Sequence, residues 1–201
     1  MIRSIIGCLF IFFAGTISAH QPDVSSTMLS QQANKQWALQ IRASLDAYKY
    51  EAATLPKKSY ASPEEFQTLV IQHVLSNVSI IFDKNIKATL KNPYVKLGHE
   101  TNVIFEVVGV PDDFKTVEIT NRSFKDIGRN KSALIVLKKG FSQEQLVLNN
   151  SNNHTVHLAL KGKKFIIDDS KGNQVLARPG LFFGMIFLGA IGYFLIKNVK
   201  K

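Results

Sequence analysis

The sequence predicts a mainly β protein, an antiparallel β-sandwich with one packed α-helix and a single C-terminal transmembrane helix. Three observations carry that expectation. Short segments of alternating polarity run through the middle of the chain, turn residues punctuate them, and apolar stretches occupy only the two ends.

The N-terminal stretch, residues 1–19, has the parts of a secretory signal: cationic Arg3, an apolar run from Ile5 to Phe13, and small residues leading to Ala19. Cleavage after Ala19 starts the mature chain at His20-Gln21-Pro22. The chain's one cysteine, Cys8, lies inside the signal, so the exported part has no disulfide, no cysteine zinc site and no thiol nucleophile.

Residues 20–170 form the exported domain, long enough to bury a core of its own. Ser26 to Gln31 and Trp37 to Leu45 read as a hairpin, because Trp37, Leu39, Ile41, Ala43 and Leu45 share one face of an extended chain. A helix follows. Ser62-Pro63-Glu64-Glu65 supplies an N-cap, a first-turn proline and a capping glutamate, and Phe66, Leu69, Val70, His73 and Val74 then fall on one stripe to about Asn77. His73 on that stripe reads as a partly buried core histidine with one local hydrogen bond.

Strands return after the helix: Val78 to Phe82, Lys87 to Leu90, Tyr94 to Leu97, Asn102 to Val108, Lys115 to Thr120, Ser132 to Leu137, Gln143 to Leu148, His154 to Leu160, and a short piece at Phe165 to Ile167. Asp83 to Asn85, Asn92-Pro93, Gly98, Val110 to Asp113, Gly128, Gly140 and Asn149 to Asn153 separate them. The Asn-x-Ser/Thr triplets at Asn77, Asn121, Asn130, Asn149 and Asn153 read as turn asparagines rather than glycosylation sites.

A juxtamembrane linker, 171–179, leads into the predicted span at 180–196, whose uncharged residues would rise about 25 Å as a helix. Pro179 suits the first turn, and the basic tail 197–201 stays cytoplasmic. Gly180 and Gly184 are spaced for helix-helix pairing within the bilayer. These ends predict a single-pass protein of the bacterial inner membrane, with its body in the periplasm and the lipid bilayer as one partner.

The formal net charge is +10, and without Arg3 and the three tail lysines the body keeps +6. Its lysines lack the interleaved aromatics of a nucleic-acid platform, so nucleic acid is not an expected partner and a solvated basic surface near anionic headgroups is. Carboxylate pairs fall at a helix start (Glu64-Glu65) and in turns (Asp112-Asp113, Asp168-Asp169), and no nucleophile elbow or His-Glu-x-x-His occurs. No enzyme is expected.

The remaining candidate chemistry is a metal site. An N-terminal His20 would offer an α-amine and an imidazole with ordinary pKa values of about 7.7 and 6.5, a donor pair suited to copper or nickel. Pro22 has no amide hydrogen, which stops ligation along the backbone, so a further ligand must come from the fold. His99, His154 and His157 are the available imidazoles. On one regular strand His154 and His157 point to opposite faces.

Ala19-His20-Gln21-Pro22-Asp23-Val24-Ser25-Ser26, Trp37-Ala38-Leu39-Gln40-Ile41 and Leu97-Gly98-His99-Glu100-Thr101 before Val103 to Val107 resemble the extracytoplasmic β-domains associated with HupE/UreJ-type membrane proteins. That resemblance implies a role in nickel supply and places His20 and His99 at matching positions. HupE/UreJ-type proteins carry a bundle of membrane helices where this chain has one predicted span. The implied role is therefore that of an accessory or interaction subunit for a membrane protein partner.

Overall fold

A computed structural model describes residues 24–55 and 60–168. The signal, His20, the linker, the 180–196 span and the tail lie outside the described residues, and among those described no helix is long and apolar enough to cross a membrane.

The protein is mainly β, and the described residues form two sheets and two α-helices. Strands β1 (Val24–Gln31) and β2 (Trp37–Ser44) form the expected hairpin, with Leu29 opposite Leu39. Lys35 takes a positive φ of 66° in their turn, where its amide donates to the Gln32 carbonyl at 2.9 Å. The alternation of β2 stops one residue earlier than expected. The Ser44 hydroxyl accepts from the Ala47 amide at 3.1 Å and starts a helix, α1 (Leu45–Thr54), that the sequence reading missed. The one packed helix expected in the body is thus corrected to two among the described residues.

Helix α2 (Pro63–Asn77) matches its signals closely. Ser62 caps it through Glu65 at 3.2 Å, and the five predicted stripe residues are its buried ones. It runs straight into β3 (Val78–Phe82). Next, β4 (Ile86–Lys87) pairs with β3, and at Ala88 the chain switches sheets to become β5 (Thr89–Lys96). Asn92-Pro93, expected as a turn between two strands, is instead a bulge within β5, where a proline without an amide hydrogen and an asparagine at φ 50° are tolerated.

The remaining strands are β6 (Glu100–Val108), β7 (Thr116–Asn121), β8 (Lys131–Leu137), β9 (Glu144–Leu148), β10 (Thr155–Lys161) and β11 (Lys164–Ile167). One sheet runs β5-β6-β2-β1-β8-β9 and the other β11-β10-β7-β3-β4. All pairs are antiparallel except β1 with β8, which corrects the expectation of a wholly antiparallel arrangement. The reason is the 122–130 connection. It crosses from one sheet to the other at a single end of the molecule, so β8 enters where β1 also starts and must run alongside it.

Alternate residues of both sheets bury a common core, with Leu39, Ile41, Phe105 and Leu134 from one and Phe82, Ile119, Leu158 and Phe165 from the other. Phe114 sits at the junction, its ring centroid 4.7 Å from Phe82 and 6.1 Å from Trp37. The sheets meet along one side through the β4–β5 switch. On the other side the Ser142 amide donates to the Lys163 carbonyl at 2.9 Å. The helices close one end, where Ser44 lies opposite Glu100, Val78 opposite Asn121, and Thr120 opposite Thr155.

Candidate functional site

Beneath this helical cap lies a cluster of buried polar side chains. The Asn121 amide donates to Thr27 Oγ1 at 2.8 Å, Thr27 Oγ1 meets Ser132 Oγ at 3.1 Å, and the Ser123 amide donates to Asn121 Oδ1 at 3.0 Å. This ties β1, β7, β8 and the 122–130 connection together across the two sheets. Asn121 is therefore a buried strut at the end of a strand, whereas Asn149, which caps a 3-10 turn at Asn150–Asn152, and Asn153, at φ 52°, are turn asparagines as expected.

The helices contribute the titratable part. His73 is 7 % exposed, and its Nε2 lies 2.6 Å from the Ser123 carbonyl oxygen. A carbonyl only accepts, so Nε2 carries the proton and the neutral ring turns Nδ1, as an acceptor, toward Asn77 Nδ2 at 3.5 Å. The stripe predicted a partly buried histidine with one local hydrogen bond; the ring is buried as its face implied, but its short bond reaches across to the 122–130 connection, and the local contact is the longer one to Asn77. The sequence reading missed its neighbour. Glu51, from α1, is 1 % exposed and brings Oε2 to 3.9 Å from His73 Nε2.

Proximity of this kind would suit an ion pair, but burial decides otherwise. Loss of solvent pushes the Glu51 carboxyl up from 4.5 to about 7, with Asp126 adding to the rise and Lys125 opposing it. Burial also lowers the His73 imidazole, chiefly by desolvation, with the Ser123 carbonyl and Asp126 opposing and Lys125 assisting. Both groups are thus driven toward their neutral forms. The arrangement is a proton-holding acid beside a neutral imidazole, able to gain or lose a proton close to neutrality.

Tyr48 completes the wall, packed edge-on against Phe124 at 5.0 Å, and burial pushes its phenol up so that it stays protonated. Glu51 Oε1, Tyr48 Oη and Ser123 Oγ are buried without a hydrogen-bond partner among the described residues. The signal for this site was present. Ala47, Tyr48, Glu51 and Ala52 form one helical stripe with a carboxylate inside it, but only if α1 is first recognised as a helix.

The predicted metal ligands fall elsewhere. His20 lies outside the described residues. His99 is exposed in the β5–β6 turn, and its carbonyl accepts from the Leu45 amide at 3.0 Å. His154 precedes β10 at φ 52°, is buried, and places Nε2 2.7 Å from Asn150 Oδ1; burial, then Arg122 and Lys125, lower its pKa. His157 sits on the outer face of β10 opposite Glu118, with Nδ1 3.1 Å from Oε2, in a shallow recess that Lys84, Thr116 and Asp168 also line. Among the described residues, no three His, Cys, Asp or Glu side chains are grouped to hold a metal ion.

No protein-family model matches the chain, and no curated protein matches it.

Proposed function

We propose that the protein is a membrane-anchored extracytoplasmic interaction domain, a β-sandwich body held to the bilayer by the 180–196 helix and serving as a non-enzymatic accessory to a membrane protein partner. The metal-supply context is the one implied by the HupE/UreJ likeness. The observation that carries the reading is the outer face of the six-stranded sheet. Register places Tyr94, Ile104, Gln40, Met28 and Ile135 in one row across five strands, with Lys96, Asn102, Arg42, Ser26 and Ala133 in the next; Ile135 and Ala133 are buried, so the open part of the face lies on β5, β6, β2 and β1.

The Arg42–Glu100 ion pair and the Gln40–Asn102 hydrogen bond at 2.8 Å neutralise or occupy the polar groups toward the capped end. Lys96 and the Lys91–Glu106 position keep charge at the β5–β6 edge, and the middle strands β2 and β1 present Ala38, Gln40, Ser26 and Met28, which are uncharged. Four open strands at about 4.8 Å spacing and seven residues at about 3.3 Å rise give a face on the order of 440 Å², about half of the roughly 800 Å² that each partner contributes to a standard interface. Its mixture of Met, Ile, Ser, Gln and Ala suits a partner of matching low charge.

The test uses the full chain in cells with a photo-cross-linking residue at Gln40 or Ile104, and with the same residue at Thr116 on the other sheet. Cross-links from the first two positions to a multi-helix membrane protein, weakened by Met28→Lys, are expected. Equal adducts from both sheets, or a body that external protease cannot reach in spheroplasts, would overturn the proposal.

A further inference from the structure

At the end opposite the cap, the β8–β9 and β10–β11 turns are held side by side by the bonds from the Ser142 amide and hydroxyl to the Lys163 carbonyl, at 2.9 and 3.3 Å. Lys138, Lys139, Lys161, Lys163 and Lys164 all lie on or beside these two turns. Lys115 joins them, because its carbonyl accepts from the Leu160 amide at 2.8 Å. The nearest carboxylates are Asp112, Asp113, Glu144 and Asp83, whose Oδ1 accepts from the Lys115 amide at 2.8 Å, so six lysines outnumber four acids at this corner.

Lys138 is turned back, its Nζ 4.7 Å above the Phe114 ring and 4.8 Å above Phe141, whereas Lys115, Lys139, Lys161, Lys163 and Lys164 are exposed. The aromatic rings here stack on one another, Phe114 with Phe165 at 6.4 Å and Phe141 with Phe165 at 5.5 Å. They leave no platform on which bases could stack. Ammonium groups at turn tips, without an arginine fork among them, suit a diffuse sheet of negative charge better than a shaped ligand.

We infer that this lysine corner docks on the anionic phospholipid headgroups of the bilayer that anchors the chain, laying the body against the membrane by its β9–β11 side. The inference rests on the tethered reading above. Strand β11 leaves Lys164 and reaches Asp168 within about 13 Å of extended chain, and the 171–179 linker can span at most about 30 Å. The corner is therefore within reach of the surface to which the tether leads.

The full chain is reconstituted in vesicles of phosphatidylcholine alone or with phosphatidylglycerol, floated, and treated with an amine-reactive label read by mass spectrometry. Labelling of Lys139, Lys161, Lys163 and Lys164 is expected to fall about threefold or more in the anionic vesicles and to recover in high salt, while Lys49 and Lys96 toward the capped end stay unchanged. Lys139→Glu with Lys163→Glu should abolish the protection of Lys161 and Lys164. Flotation with both vesicle types but no composition-dependent protection, or equal protection of every lysine, overturns the docking inference alone. A chain that fails to float overturns the tethered reading beneath it.

Discussion

Glu51 and His73 impose opposite pH dependences on the stability of the same cap. The folded pKa of Glu51 is raised from 4.5 to about 7, so the folded state holds a proton that the unfolded state releases, and the stabilisation falls as pH rises through that window. His73 and His154 are lowered from 6.5, so below that value the unfolded state binds protons first and stability falls as pH drops. The slopes oppose one another up to about 6.5, and above it only the Glu51 term persists. Glu51→Gln, isosteric with the protonated acid, should leave acid stability unchanged and raise it by about 3 kcal/mol at pH 8. Thermal unfolding from pH 4 to 8 would test this, and a variant that keeps the parent's decline toward pH 8 would refute the assignment. At this scale the stripe placed His73 correctly, whereas Glu51 was invisible because its helix was.

Among the elements, α2 was legible because its cap, proline and apolar stripe all agree, and α1 was not because the alternation of β2 runs into it without a break. Only the Ser44 hydroxyl separates strand from helix. Ser44→Ala should therefore cost about 1 kcal/mol, as should Ser62→Ala, whose hydroxyl caps α2. The two substitutions affect different helices, and their shifts in denaturant midpoint should add. The bulge in β5 was hidden for the opposite reason. Asn92-Pro93 is a sound turn signal, but pairing on both sides of it with β6 carries one strand through.

For the molecule as a whole, nearly every strand could be read from the sequence, but sheet membership could not, because period-two patterns say which residues are buried and not which strand lies next door. The sheet switch at Ala88 and the parallel β1–β8 pair are decided by where connections cross. Phe114 marks the same limit. It lies in a loop between Asp113 and Lys115, where alternation predicts nothing, yet its ring meets Trp37, Phe82 and Phe165 from both sheets. Phe114→Ala should cost about 3–4 kcal/mol and lower the unfolding midpoint as one cooperative transition. A loss under 1 kcal/mol would place the junction between the sheets elsewhere.

The parallel seating of β1 between β2 and β8 also sets an order of events in time. The first described strand of the chain is an interior strand of its sheet, and the neighbour that completes it begins at Lys131, roughly a hundred residues later. While the chain emerges, the β1–β2 hairpin can form from local contacts, but one long side of β1 remains a bare edge until Leu137 has arrived. A polypeptide threaded through a membrane from its amino end would thus spend most of its passage with that edge uncovered. The interval between the arrival of Gln31 and that of Leu137 is when this protein is most exposed to mispairing, and when a holding chaperone would matter most.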